Sequence, residues 1–142
     1  MDIRILQTPD EIRAAFPVMA QLRDRIREET FVSEVSTQQQ GGYVLIAAFE
    51  DERIVALAGF RESHTLSRGP HLFVDDLITD EPHRGRGLGT ALLRWLADYA
   101  RERNLPRIHL DSRATACGFY EQLGFELSTS VPCSIETHKL AR

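Results

Sequence analysis

The feature that most constrains this chain is the run "HLFVDDLITDEPHRGRGLGTALLRWL", from His71 to Leu96. It opens as an apolar, β-branched strand, crosses a glycine-rich loop and closes on apolar residues at helical spacing. Gly85, Gly87 and Gly89 alternate with Arg84, Arg86 and Leu88 in the loop. After a strand and before a helix, several backbone amides can aim at one anion, and the helix dipole adds positive charge there. Glycine lets the backbone approach an anion closely. A tight turn alone needs fewer glycines, and neighbouring arginines repel without an anion between them. The spacing excludes two nucleotide loops. The Gly-Lys-Ser/Thr element of a P-loop is missing. A dinucleotide loop would need glycine at position 90, where Thr90 stands.

The surrounding pattern alternates strands and helices. "IRIL" reads as a first strand. Thr8, Pro9 and Glu11 then form the start signal of a helix, with a capping box. Ile12, Phe16, Met19, Leu22 and Ile26 continue it at helical spacing, and Pro17 is expected to kink or divide it. A polar stretch with a short helix ends at Gly41-Gly42. Tyr43–Glu50 and Arg53–Phe60 read as a hairpin around Asp51-Glu52. His71–Asp80 is a third long strand of this group. Leu88, Leu92, Trp95, Leu96 and Tyr99 make one apolar helix face, stopped by Asn104 and Pro106. "RIHLD", a helix over 114–123, and the strands "FELST" and "CSIETHKL" complete the order. The predicted class is α/β, a mixed sheet covered by helices.

A chain of 142 residues, 42% of them apolar, is enough for one domain with a real core. The net charge of −4 gives no reason to expect nucleic acid as a partner. No apolar run is long enough for a membrane helix, and the N-terminus lacks the pattern of a signal peptide, so a cytoplasmic location is expected. Cys117 and Cys133 have no metal-like spacing and read as free thiols. His64, His71, His83, His109 and His138 contain no i, i+4 pair, so no metal is expected. Glu28, Glu29 and Glu34 read as solvated charge, with attraction of a cationic amine as the alternative.

The loop fits Arg-x-x-Gly-x-Gly as Arg84-Gly85-Arg86-Gly87-Leu88-Gly89. With "VDDLITDEPHRGRGLGTALL" before and "ACGFYEQLGFE" after it, the chain resembles the GCN5-related N-acetyltransferase (GNAT) superfamily. The sharp motifs lie within residues 73–126, and the order of elements agrees from end to end. The resemblance implies a GNAT fold in one domain over 1–142, with a mixed, mostly antiparallel sheet of about seven strands and about four helices. It implies acetyl-CoA as co-substrate and direct acyl transfer to a primary amine. The acceptor stays open among small amine, antibiotic, amino acid and protein N-terminus, with a small amine preferred to a protein. A homodimer is compatible with the family's paired final strands.

The resemblance also assigns residues. Leu77, Ile78 and Thr79 fall where the family's splayed strand bonds the pantetheine arm and the acetyl carbonyl. The pyrophosphate falls on the amides from Gly85 to Thr90, beside Arg84 and Arg86. Tyr120 matches the family's proton donor to the departing thiolate. For the base, Asp75 is preferred, then Asp76, then Asp111 at the end of "RIHLD". Asp75 and Asp76 are neighbours on a strand, so they are expected to face opposite sides, Asp75 with Phe73, Leu77 and Thr79, Asp76 with Leu72, Val74 and Ile78. Two acids in an apolar strand are costly unless hydrogen-bonded or functional. Arg113 stands where many relatives have a cofactor-touching asparagine, so that contact does not carry over. Two rival classes remain: a non-catalytic acyl-CoA sensor, and an ATP-binding protein, against which the missing P-loop lysine argues.

Overall fold

A computed structural model describes residues 1–140, which group into two compact units, Met1–Asp111 and a second beginning at Ser112. The first unit is built on a five-stranded sheet in the order β1-β2-β3-β4-β5. Its strands are β1 (Asp2–Ile5), β2 (Val44–Glu50), β3 (Arg53–Thr65), β4 (Gly69–Thr79) and β5 (Ile108–Leu110). The first four pair antiparallel and β5 joins β4 in parallel, so the sheet is mixed and mostly antiparallel, as expected.

Helix α1 (Pro9–Ala14) starts at the anticipated capping box: Glu11 N–H donates to Thr8 Oγ1 at 3.2 Å, and Thr8 N–H donates to Glu11 Oε1 at 2.9 Å. Pro17 marks the division, with a separate short helix α2 at Phe16–Met19. Leu22 and Ile26 do not continue it. They lie in the non-helical stretch before α3 (Glu28–Gln40), which is longer than its polar sequence suggests. Only Phe31 and Val35 of α3 are buried, one turn apart, so its apolar stripe is thin. The β2–β3 turn is the expected two-residue hairpin. Asp51 and Glu52 both take positive φ, 48° and 64°, as a primed turn matching strand twist requires.

The sheet has two covered faces. Leu45, Ala47 and Leu57 share a core with Ile12, Ala15, Met19, Phe31 and Val35 on one side. On the other, Phe60 meets Tyr99 and Trp95 of α4 (Leu88–Glu102), with ring centroids 4.9 and 6.2 Å away. Full burial of side chains such as Leu45, Leu57 and Phe60 stabilises by about 1.5–3 kcal/mol each. A one-residue slip would turn each to the wrong face, so the register is firmly set.

The second unit contains a 3₁₀ turn at Ala114–Ala116 and the short helix α5 (Cys117–Gln122), ended by Gly124 at φ 97°. The two final strands anticipated from "FELST" and "CSIETHKL" are not formed among the described residues, which leaves five strands rather than about seven. The physical reason is local. Leu127, Val131 and Ile135 are all exposed and too sparse to pin a strand. Ser128 Oγ accepts from Ser130 N–H at 3.0 Å, so a side chain takes up a ladder amide. Pro132 offers none at all.

Candidate active site

The central irregularity lies in β4. Gly59 of β3 pairs with Asp76, yet the next residue, Phe60, pairs with Val74. Asp75 is therefore an extra residue, a β-bulge that breaks strict alternation. Upstream, Leu72 and Val74 lie on the α4 face with Phe60. Downstream, Asp76 and Ile78 lie on the opposite face with Gly59 and Leu57. The expectation that Asp75 and Asp76 face opposite sides is thus overturned, because the bulge turns both carboxylates into one cavity.

Each acid is held by an arginine from another element. Arg61 of β3 forks onto Asp75, Nε to Oδ2 at 2.9 Å and Nη2 to Oδ1 at 3.0 Å. Its guanidinium also lies 5.0 Å from the centre of the Phe73 ring. Arg23, in the stretch after α2, donates Nε–H to Asp76 Oδ1 at 2.9 Å and Nη2–H to the Asp75 carbonyl at 2.7 Å. That second bond takes the backbone oxygen at the bulge. Asp76 Oδ2 accepts from the Tyr43 hydroxyl at 2.7 Å.

Tyr43 is buried just before β2. Burial first, then the negative charge and hydrogen bond of Asp76, push its phenol well above its ordinary range and keep it a donor. It fits there because Gly59 has no side chain: a Cβ on Gly59 would lie 1.7 Å from the Tyr43 oxygen. A glycine inside an apolar strand signals close approach of another group, so Gly59 is the signal from which the approach of Tyr43 could be read. Arg23, Arg61 and Tyr43 left no such signal.

The cavity under this network has a volume of about 770 Å³. Met19, Leu22, Ile26 and Phe31 give it an apolar wall, and Arg25 and Glu34 add a further ion pair at 3.3 Å. That volume suits a small molecule.

β4 leads from the acids to the glycine loop. It pairs with β5 at Leu72, Phe73 and Val74 only. Beyond Val74 this edge of β4 has no partner strand among the described residues, so Leu77, Ile78 and Thr79 are paired in the sheet with β3 only. Asp80 and a 3₁₀ turn at Glu81–His83 follow. Gln21 braces this turn: its amide donates to Asp80 Oδ1 at 2.6 Å, and its oxygen accepts from Glu81 N–H at 3.0 Å. The Gln21 hydrogen bond holds the Asp80 carboxyl below its usual range, and His83 adds to the effect.

Gly85 and Gly87 take left-handed φ values of 78° and 80°, with open space where a Cβ would stand. Gly87 is the N-cap of α4 and has no side chain to offer its amides. The amides of Leu88, Gly89 and Thr90 therefore start the helix with no side-chain cap. Of the loop arginines, Arg84 Nε donates to the Thr79 carbonyl at 3.2 Å and Arg86 Nη2 to Glu50 at 2.9 Å.

Two expected residues remain, Asp111 and Tyr120. Asp111 is exposed past the end of β5 and does not line the cavity. Tyr120 belongs to α5 of the second unit, half-buried between the rings of Phe119 and Phe125, at 5.0 and 5.4 Å. Burial raises its phenol above the ordinary value, so it stays protonated at neutral pH. Cys117 Sγ lies 3.7 Å from the Arg113 carbonyl, and neither cysteine is in a disulfide. Among the described residues, no group of three or more His, Cys, Asp or Glu is placed to hold a metal. No described helix is long and apolar enough to cross a membrane.

Comparison with known proteins shows the family and the fold. The family model described as "Acetyltransferase (GNAT) family" matches residues 6–125. An uncharacterized N-acetyltransferase, YhdJ, of Bacillus subtilis is 32% identical over 129 residues, covering 87% of this chain and 91% of its own. A glucosamine 6-phosphate N-acetyltransferase of Trypanosoma brucei brucei is 30% identical over 109 residues, 75% of this chain and 67% of its own. In fold, the chain is similar to a crystal structure of a predicted acetyltransferase with acetyl-CoA from Clostridium acetobutylicum. The TM-score is 0.75 at 19% identity, over 99% of both chains.

Proposed function

The chain belongs to the acetyltransferase (GNAT) family and is an acyltransferase, and on that premise we propose that it moves an acetyl group from acetyl-CoA directly to a primary amine of a small acceptor. The observation that carries this reading is the free edge of β4 running into the uncapped start of α4. The amides of residues 85–90, with open space at Gly85 and Gly87, suit the pyrophosphate of coenzyme A. Arg84 and Arg86 flank it, and the backbone of Leu77–Thr79 meets the pantetheine arm.

Asp75, the more exposed of the two acids, takes a proton from the acceptor's ammonium. Asp76, fixed by Tyr43 and Arg23, anchors the site. The amine nitrogen bonds to the thioester carbonyl carbon, and an N–H on the free β4 edge carries the charge on oxygen. The carbon–sulfur bond breaks. Tyr120 gives sulfur a proton and regains one from the nitrogen as the amide forms. Asp111 has no part in these steps.

A second reading, an acyl-CoA sensor without catalysis, draws on one observation: all four oxygens of Asp75 and Asp76 already accept hydrogen bonds. The test is thiol release from acetyl-CoA across an amine panel, alongside thermal stabilisation by coenzyme A and by ATP. The transferase gives both release and stabilisation by coenzyme A. The sensor gives stabilisation alone. Stabilisation by ATP and not by coenzyme A would refute both.

A further inference from the structure

We infer that the acceptor is a small amine that also carries an anionic group, a carboxylate or a phosphate, and that Arg61 and Arg23 receive that group. The inference rests on the transferase reading and names its substrate class.

The argument starts from the order of charges in the cavity. Three ion pairs line it, and in each the guanidinium is the outer partner. Side-chain exposure is 43% for Arg23 against 14% for Asp76, 43% for Arg61 against 27% for Asp75, and 76% for Arg25 against 34% for Glu34. An entering molecule therefore meets guanidinium edges before carboxylates. Arg23 Nη1 and Arg61 Nη1 make no hydrogen bond among the described residues, so each arginine keeps N–H groups to offer. A guanidinium fork matches carboxylate and phosphate oxygens.

A purely cationic amine fits this order poorly. It meets the outer arginines first and finds both oxygens of Asp75 already taken. A molecule with both charges resolves the conflict by exchange. Arg61 leaves Asp75 for the acceptor's anion, and the freed Asp75 takes the acceptor's ammonium. One ion pair becomes two, and no charge in the cavity is left alone. Asp76 cannot be freed in the same way, because Tyr43 and Arg23 hold it from two sides. The wall of Met19, Leu22, Ile26 and Phe31 receives the carbon skeleton.

Thiol release is followed with leucine against leucinamide, glucosamine 6-phosphate against glucosamine, and putrescine as the dication. In at least one pair the anionic member is expected to show kcat/KM higher by about tenfold or more, the scale of a charge-assisted contact. The first pair reports a carboxylate and the second a phosphate. Arg61→Gln shrinks that ratio mainly through KM, and Arg61→Lys restores part of it. The wild-type ratio alone decides the matter if Arg61→Gln does not fold. Release that favours the members without the anionic group, or putrescine, overturns the inference and leaves the transferase standing. No release from any of them, with no stabilisation by coenzyme A, overturns both.

Discussion

Gly59→Ala tests whether the network under the acids is built as described. The added Cβ would lie 1.7 Å from the Tyr43 oxygen, 2.3 Å from Cζ and 2.7 Å from Cε1. The ring has to leave. Overpacking of this kind costs about 1–3 kcal/mol. Losing the Tyr43 donor to an ionised Asp76 adds about 1.5–3 kcal/mol. Partial relaxation absorbs some of each, so we expect about 3 kcal/mol in all. For a chain of this size that lowers the melting temperature by roughly 10 °C. The control is the same change in a Tyr43→Leu background, where the three clashing atoms are gone. There Gly59→Ala should cost under about 1 kcal/mol, and the difference is the coupling between the two positions. Urea unfolding of the four proteins gives the cycle. An equal cost of Gly59→Ala in both backgrounds would refute the close-approach role of the glycine.

Three further outcomes follow from the same geometry. Tyr43 has its phenol raised by burial, so the stability its neutral form provides is present below about pH 10 and is lost as pH rises above that value toward the folded pKa. Wild type and Tyr43→Phe should therefore differ in urea stability by a constant amount up to about pH 10 and converge above it, and curves that stay parallel above that value count against the buried phenol. Gly87→Trp fills the open space at the α4 N-cap and should abolish thermal stabilisation by coenzyme A, so an unchanged shift moves the pyrophosphate elsewhere. Tyr120→Phe should lower turnover by roughly 10²-fold or more while coenzyme A still binds, the usual scale for losing a general acid. Wild-type turnover in that variant would remove Tyr120 from the chemistry.

What the sequence makes legible is what neighbours in the chain decide. The capping box at Thr8, the division at Pro17, the Asp51-Glu52 hairpin and the glycine loop each rest on a few adjacent residues, and each is found in place. The helix at Glu28–Gln40 was only partly visible, because two buried residues give little period to read. The final strands failed for the opposite reason. Alternation was present, but serines and a proline compete with the ladder, and the apolar residues are too few. Within the site, the acids were found and their partners were not. Arg23 lies 53 residues from Asp76, Tyr43 lies 33 from it and Arg61 lies 14 from Asp75, separations at which spacing carries no signal.

The bulge explains why the two acids do not face opposite sides as alternation predicts, and it ties the parts of the site into one dependence. An alternating strand cannot send two neighbouring side chains to one side, and β4 does so only because Asp75 is inserted against Gly59-Phe60. At that insertion Arg23 donates to the Asp75 carbonyl while also holding Asp76. Asp76 is oriented in turn by Tyr43, and Tyr43 is admitted by Gly59. The missing Cβ of Gly59 thus reaches, through the phenol, the carboxylate and the guanidinium, to the bulge that aims Asp75 at Arg61. If the outer arginines select the acceptor, a methyl group added at Gly59 should disturb selection without touching any molecule in the cavity. On that reading the backbone of the sheet sets specificity through the arginines and acids it positions in the cavity wall.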